Sequence, residues 1–290
     1  MIRIFFLCFC LLIMNQVVRC QMYAVLPSGQ DGEVIYNEGF VAENGIVSIN
    51  VEHLVKRRGQ GMISESEETE YSFNSQGRLV AMATIDSAQG KSNLEERYFS
   101  GEGLLETLES RTGDRCMMTV FDYDSDGRMI LEYAERYTCD TVLDHEPIRF
   151  QTRAFSYSTP NDSTLVRNHL NNQNIPYLKE TLKFDSSGVY LKERQLRYVV
   201  SGRKEKTHYH YNEKGWLAEV EFGGLKSVFT YSKWGELELV TEYRNGGEYS
   251  VEEYLYDSSG LIQARLKKYS DSPSVYIKKY SIILNSDGEE

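Results

Sequence analysis

The sequence predicts an all-β fold in which consecutive antiparallel hairpin repeats form one long, curled or spiralling sheet. Three observations carry this reading. A short pattern recurs along the chain. Apolar and polar residues alternate with period two on either side of it. The composition suits strands, with 21 Tyr, 12 Phe and only 5 Pro in 290 residues. That aromatic load argues against disorder, and the composition argues against a collagen-like or coiled-coil chain.

Residues 1–20 read as a secretory signal peptide. Arg3 supplies the positive start, and Ile4–Met14 is an apolar run of 11 residues. A membrane-spanning helix needs about 20. Val18 and Cys20 permit cleavage before Gln21. Val17–Cys20 also partly matches a lipobox, with Arg19 where a small residue is expected, so Cys20 is a candidate lipid anchor. The expected location is secreted, periplasmic or cell-surface, without membrane insertion after cleavage. Residues 21–64 read as an N-terminal β segment. Within it, Asn44-Gly45 between Phe40-Val41 and Ile46-Val47 signals a two-residue hairpin turn.

Hairpin repeats fill 65–139 and 181–290. The pattern is aromatic-x-aromatic, then Asp, Asn or Ser, then Gly three residues later and an apolar residue two beyond. It stands at Tyr71–Leu79, Phe121–Met129, Leu182–Tyr190, Tyr209–Leu217, Phe229–Leu237 and Tyr254–Ile262. Weaker copies surround Gly103 and Gly288, and Phe155 and Tyr157 open a copy that lacks its Gly. Asp or Asn caps a type I turn, and Gly accepts the left-handed backbone that follows. Gly77, Gly127, Gly188, Gly215, Gly235 and Gly260 are therefore structural turn glycines. Counting outward pairs Tyr123 with Met129 and Phe121 with Leu131, Phe73 with Leu79 and Tyr71 with Ala81, and Tyr231 with Leu237 and Phe229 with Leu239. One face of each hairpin is then apolar, with Asp122, Arg128 and Glu132 on the other. Residues 140–180 hold Pro147, Pro160 and Pro176 and an Asn/Gln run at 171–174. They read as a degenerate repeat or loop-rich insertion.

These motifs resemble the YD-repeat of Rhs-type and teneurin-like extracellular proteins, over roughly 65–135 and 180–288. The resemblance implies a short, stand-alone set of hairpins in a sheet that spirals into a shell or tube. The toxin segment and self-cleaving motif of the large members are not found in the sequence.

Little else points to chemistry. Asp122, Asp124 and Asp126 before Gly127 match the first half of a calcium loop, but position 12 is Tyr133 and the flanks alternate like strands. His208 and His210 share one strand face without a third metal ligand in view. No nucleophile elbow, Walker loop or zincin motif occurs. No catalytic residue, metal or cofactor is expected. Outside the leader, Cys116 and Cys139 form an even pair, either two buried thiols or a disulfide. Their hairpin register, counted around Gly127, places Cys116 opposite Arg136, so a bridge requires an additional bulge, expected near Thr112-Gly113. Trp216 and Trp234, at adjacent turns and off the apolar face, are the binding candidates.

The net charge of −11 disfavours nucleic acid. The expected function is a secreted or envelope-associated, non-enzymatic scaffold or binding module for an envelope glycan or protein. The alternatives are a glycan-active hydrolase on a β scaffold, or an accessory protein of a polymorphic-toxin system.

Overall fold

A computed structural model describes residues 22–27, 33–88, 90–139 and 148–285. The expected leader with Cys20, and the weak copy at Gly288, lie outside the described residues. The chain opens with a small hairpin, β1 (Tyr23–Leu26) and β2 (Glu33–Tyr36), and a short helix α1 (Glu38–Glu43). An up-and-down meander follows: β3 (Ile46–Lys56), β4 (Met62–Phe73), β5 (Leu79–Asp86), β6 (Lys91–Phe99), β7 (Leu105–Thr112), β8 (Arg115–Tyr123) and β9 (Met129–Thr138). It continues through β10 (Ile148–Asn161), β11 (Thr164–Leu170), β12 (Pro176–Phe184), β13 (Leu191–Tyr198), β14 (Lys204–Tyr211) and β15 (Leu217–Phe222). It ends with β16 (Leu225–Tyr231), β17 (Leu237–Arg244), β18 (Gly247–Tyr256), β19 (Ile262–Tyr269) and β20 (Val275–Leu284).

Each strand from β3 onward pairs with the next, and β20 pairs with β3 from Val275↔Lys56 to Leu284↔Ile46. The result is a closed 18-strand barrel. This corrects the expected curled or spiralling open sheet. Closure leaves no exposed ladder edge, and a ring of this size surrounds a lumen wider than side chains can fill. The 148–180 stretch supplies β10, β11 and the first half of β12 as ordinary wall strands. Within it, Asn171 caps a turn in which Asn174 takes the left-handed conformation, at φ 58°.

The motif turns all lie on one rim, where even-numbered strands give way to odd. In each, the glycine N–H donates to the carbonyl of the capping residue three back, as from Gly127 to Asp124 at 3.0 Å. Their φ values run from +73° at Gly127 to +101° at Gly235. The residue three past the glycine is then left out of the ladder, as a bulge, except after Gly188, where the turn is one residue longer and Lys192, four past, is skipped. Val80, Ile130, Glu238 and Gln263 are examples. This shifts the expected register by one: Phe121 faces Glu132, Tyr71 faces Met82 and Phe229 faces Val240. The pairs adjoining the turn, Tyr123–Met129, Phe73–Leu79 and Tyr231–Leu237, stand as counted. Beyond the bulge, inward positions fall two and five residues after the glycine, so Glu132 and Arg265 point into the lumen.

The same slip governs the cysteines. Cys116 pairs with Tyr137, which leaves Cys139 two residues along on the same face. The two are bridged, with Cα atoms 5.3 Å apart. The bulge that brings them together lies beside Tyr123 rather than near Thr112-Gly113.

The second aromatic of the motif has a role of its own. Tyr123, Tyr157, Tyr211, Tyr231 and Tyr256 each donate a hydroxyl hydrogen bond to a carbonyl of the preceding hairpin. The acceptors are Leu105 (2.8 Å), Met129 (2.7 Å), Leu191 (3.1 Å), Leu217 (2.7 Å) and Leu237 (2.9 Å). Burial raises the Tyr231 and Tyr256 phenols well above their usual range and pushes Tyr211 up to about 12. These bonds tie successive hairpins together around the rim.

The outer wall carries ion pairs such as Lys183–Glu193 (2.9 Å), Lys226–Glu219 (2.6 Å) and Lys279–Glu52 (3.9 Å). A lipid-facing barrel instead presents an apolar band about 25 Å tall, so this wall suits contact with water.

Candidate functional site

The N-terminal hairpin and α1 form a plug on the concave face, at the motif rim. Phe40 and Val41, expected in a strand, lie in α1. The Asn37 side chain caps the helix by accepting from Gly39 N (3.1 Å) and Phe40 N (3.4 Å). Gly45, at φ +60°, ends it. The Asn44-Gly45 signal thus marks a helix end and not a hairpin. The plug packs on several strands at once. Tyr23 meets Tyr254 at 5.6 Å, Tyr36 meets Tyr71 and Phe73 at 5.3 Å, and Met22 Sδ accepts from Ile262 N at 3.2 Å. Phe40 lies over the Gly260 turn, while Glu38 and Ala42 lie against Gly77. Met22, Tyr23, Phe40 and Val41 join Ile49, Tyr209, Leu237 and Ile262 in the main buried cluster.

Beneath the plug the inward surface becomes polar. Arg265 lies under the Tyr23 and Tyr254 rings, with centroids at 5.8 and 4.8 Å, and holds Glu252 by NH2 at 2.6 Å. Lys267 reaches Glu242 at 3.3 Å, and Glu242 in turn accepts from Ser250 at 2.5 Å. Lys278 pairs across the ladder with both Arg265 and His53, which sets it on this face. Burial, reinforced by the Arg265 charge, lowers the Lys278 pKa against the opposing pull of Glu252 and Glu67. Burial and Lys278 also lower the pKa of His53, which hydrogen-bonds Thr69 at 3.3 Å. His53, Glu65, Glu252, Arg265, Lys267 and Lys278, with Tyr269 and Tyr276, line a cavity of about 550 Å³.

A second polar cluster lies elsewhere on the inner wall. Glu180, 1% exposed, sits between Arg167 NH2 at 2.6 Å and Arg194 Nε at 2.5 Å. His169 Nε2 is 3.8 Å away. Burial raises the carboxyl's pKa, but His169, Arg167 and Arg194 outweigh it and bring it to about 2. A carboxylate so held is a structural tie and a poor proton donor near neutrality.

The residues singled out from sequence fall elsewhere. Trp234 is 69% exposed at the motif rim beneath the Lys233 ammonium. Trp216 is half-buried against Tyr231, with ring centroids 5.2 Å apart, under Lys214. The two turns touch through Lys214 Nζ, which donates to the Lys233 carbonyl at 3.0 Å. The calcium-like run is a turn whose acids hold Arg128, from Asp124 at 2.7 Å and Asp126 at 2.8 Å. His210 does gain acidic neighbours, Glu219 and Glu221, within 4.8 Å. Lys226 already lies 2.6 and 3.5 Å from those two carboxylates. Glu242, Arg265 and Lys267 escaped sequence reasoning because strict alternation, without the bulge, assigns them to the outer face.

No family model matches the chain, and no curated protein is detectably similar to it. Among solved structures it is similar to a porin-like protein from Bacteroides uniformis, with 9% identity, covering 83% of this chain and 97% of that one at a TM-score of 0.37. It is also similar to a DUF1329 family protein from Desulfovibrio piger (10% identity, 84% and 88% covered, TM-score 0.26). A third is a LolA superfamily protein from Nitrosomonas europaea (12% identity, 84% and 88% covered, TM-score 0.17). The expected spiralling YD-repeat sheet is corrected by the fold itself: the hairpins close into one ring around the chain's own N-terminal plug.

Proposed function

We propose that this protein is an extracytoplasmic, non-catalytic binding barrel that takes its ligand into the lumen through the rim opposite the plug. The asymmetry of the two ends carries the reading. One rim bears the plug. The other is studded with exposed apolar side chains, including Val200 (96% exposed), Ile148 (68%), Met62, Ile175 and Phe150. Apolar side chains are exposed at the plugged rim too, as at Trp234 and Val189, but those around the open mouth are the ones placed to favour entry of a partly apolar ligand. The leader-like residues 1–20 and the Cys116–Cys139 bridge support an oxidising location outside the cytoplasm. The arginine-locked Glu180 supports binding over acid–base chemistry.

The test is titration with Nile red, a neutral apolar probe. Saturable binding with a blue-shifted emission is expected, weakened in the double variant Phe150→Glu, Val200→Glu. Absence of saturable binding, or a saturable hydrolysis of glycans or peptides by the purified protein, overturns the reading. Trp234 favours a second contact surface for an envelope glycan or protein, because a large exposed ring backed by Lys233 suits such contacts. A glycan and envelope-protein binding screen that gives the same result for the native protein and Trp234→Ala removes that surface.

A further inference from the structure

The cavity under the plug offers a specific chemistry. Three cations enter it, and two are already engaged: Arg265 with Glu252 at 2.6 Å and Lys267 with Glu242 at 3.3 Å. Lys278 is the third. Among the described residues no carboxylate lies within ion-pair distance of its ammonium, and that group is half-buried beside two other positive side chains. Glu252 and Glu67 act on it from beyond ion-pair distance, and Glu65 lines the same cavity; an anion placed directly against the half-buried ammonium would supply the contact that these carboxylates do not make.

The wall beyond Lys278 changes character toward the open rim. Tyr249, Tyr269 and Tyr276 form a run of ring contacts, at 5.5 and 5.7 Å between centroids. Val55 pairs with Tyr276 across the ladder, and Ile63 pairs with Val55 in turn. Ile63 and its neighbour Met62 are exposed at the rim. Read from the plug outward, the surface is charged, with Arg265, Lys267 and Lys278 against Glu65 and Glu252, then aromatic, then aliphatic. A ligand matching that order carries a negative head and an apolar tail.

We infer that the cavity binds an anionic amphiphile of the long-chain carboxylate class, with its head at Lys278 and its tail running past Tyr269 and Tyr276 to the open rim. This rests on the lumenal-binding reading above and names the ligand class for it. Tyr269 and Tyr276 offer ring faces to the chain and can turn their hydroxyls toward water. Arg265 positions the head indirectly, because it fixes Glu252 and so keeps that carboxylate off Lys278.

The test is displacement of Nile red by dodecanoate, dodecanol and acetate, on the native protein and on Lys278→Met and Lys278→Arg. Dodecanoate is expected to displace the probe saturably, and the other two far more weakly. Lys278→Met should keep the stem's volume and Nile red binding while weakening dodecanoate roughly tenfold or more, as loss of a charge-assisted contact does. Lys278→Arg should restore most of it. Unchanged dodecanoate affinity in Lys278→Met, or dodecanol binding as tightly as dodecanoate, overturns the head-group assignment while Nile red binding stands. Failure of Nile red to bind at all removes the lumenal reading and this inference with it. Native and variant melting curves establish that the Lys278 variants are folded.

Discussion

Replacing Gly77 by Ala isolates the contribution of the plug, because the same substitution at Gly127 serves as its control. Both glycines end a motif turn, at φ +76° and +73°. A side chain in that conformation costs roughly 1–2 kcal/mol at either position. At Gly127 the added Cβ meets only Leu104 Cδ2 at 3.9 Å, an ordinary contact. At Gly77 it would stand 2.0 Å from the Glu38 carbonyl oxygen and 2.8 Å from Ala42 N. Backbone on both sides prevents a side-chain adjustment, so α1 must lift by about 1 Å or more to reach van der Waals distance. Lifting uncovers Phe40 and Val41, and each fully buried side chain of that size is worth about 1.5–3 kcal/mol. Gly77→Ala should therefore destabilise by about 3 kcal/mol more than Gly127→Ala, or release the plug while the barrel stays folded. Urea melts measure the first outcome. Limited proteolysis between Met22 and Asn44 measures the second. Equal midpoints together with equal protection of that segment would refute the packing of α1 against the rim.

Three further expectations follow from named contacts. Tyr231→Phe removes the 2.7 Å bond to the Leu217 carbonyl and should cost about 1 kcal/mol in urea melts; a neutral outcome would mean that the tyrosine bonds are not what joins the hairpins. Glu180 has a folded pKa of about 2 against an ordinary 4.5, so its contribution is complete above the unfolded value and lost as pH falls toward 2. That amounts to about 3 kcal/mol, and Glu180→Gln should flatten the acid limb of stability against pH; an identical slope would count against the Arg167–Glu180–Arg194 tie. Cys116→Ser with Cys139→Ser opens a loop whose ends are 23 residues apart, which the chain-entropy estimate puts at about 3 kcal/mol. Mass spectrometry finding two alkylatable thiols in the native protein would contradict the bridge.

The turns were legible because a left-handed residue after a capped turn needs glycine, and six copies of one pattern at one spacing state that need repeatedly. Closure of the barrel was not. The pairing of Ile46 with Leu284 joins the two ends of the meander, and nothing local to either strand names the other. The helix at Glu38–Glu43 was misread because Asn-Gly serves both hairpin turns and helix ends. The distinguishing signal was Asn37, an N-cap placed before Phe40 and Val41. Arg265 and Glu132 could have been placed in the lumen only by recognising the bulge, which shows in the chain as an extra residue after each turn and carries no fixed residue type; Lys278 already alternates with Tyr280 and Ile282 on the apolar face. Trp234 was visible as an exposed ring, but exposure does not say what it meets.

Ring closure also sets an order of events during synthesis. The first wall strand made, β3, has its final partner in β20, the last strand of the wall, so one edge of the growing sheet stays open until β20 has been made. An open edge is a template for pairing with another chain, and contacts between strands so far apart in sequence form slowly. Newly made chains are therefore most vulnerable to intermolecular strand exchange just before the ends meet. Truncation within β20 should extend that vulnerability indefinitely, giving a protein that still forms hairpins but accumulates as oligomers.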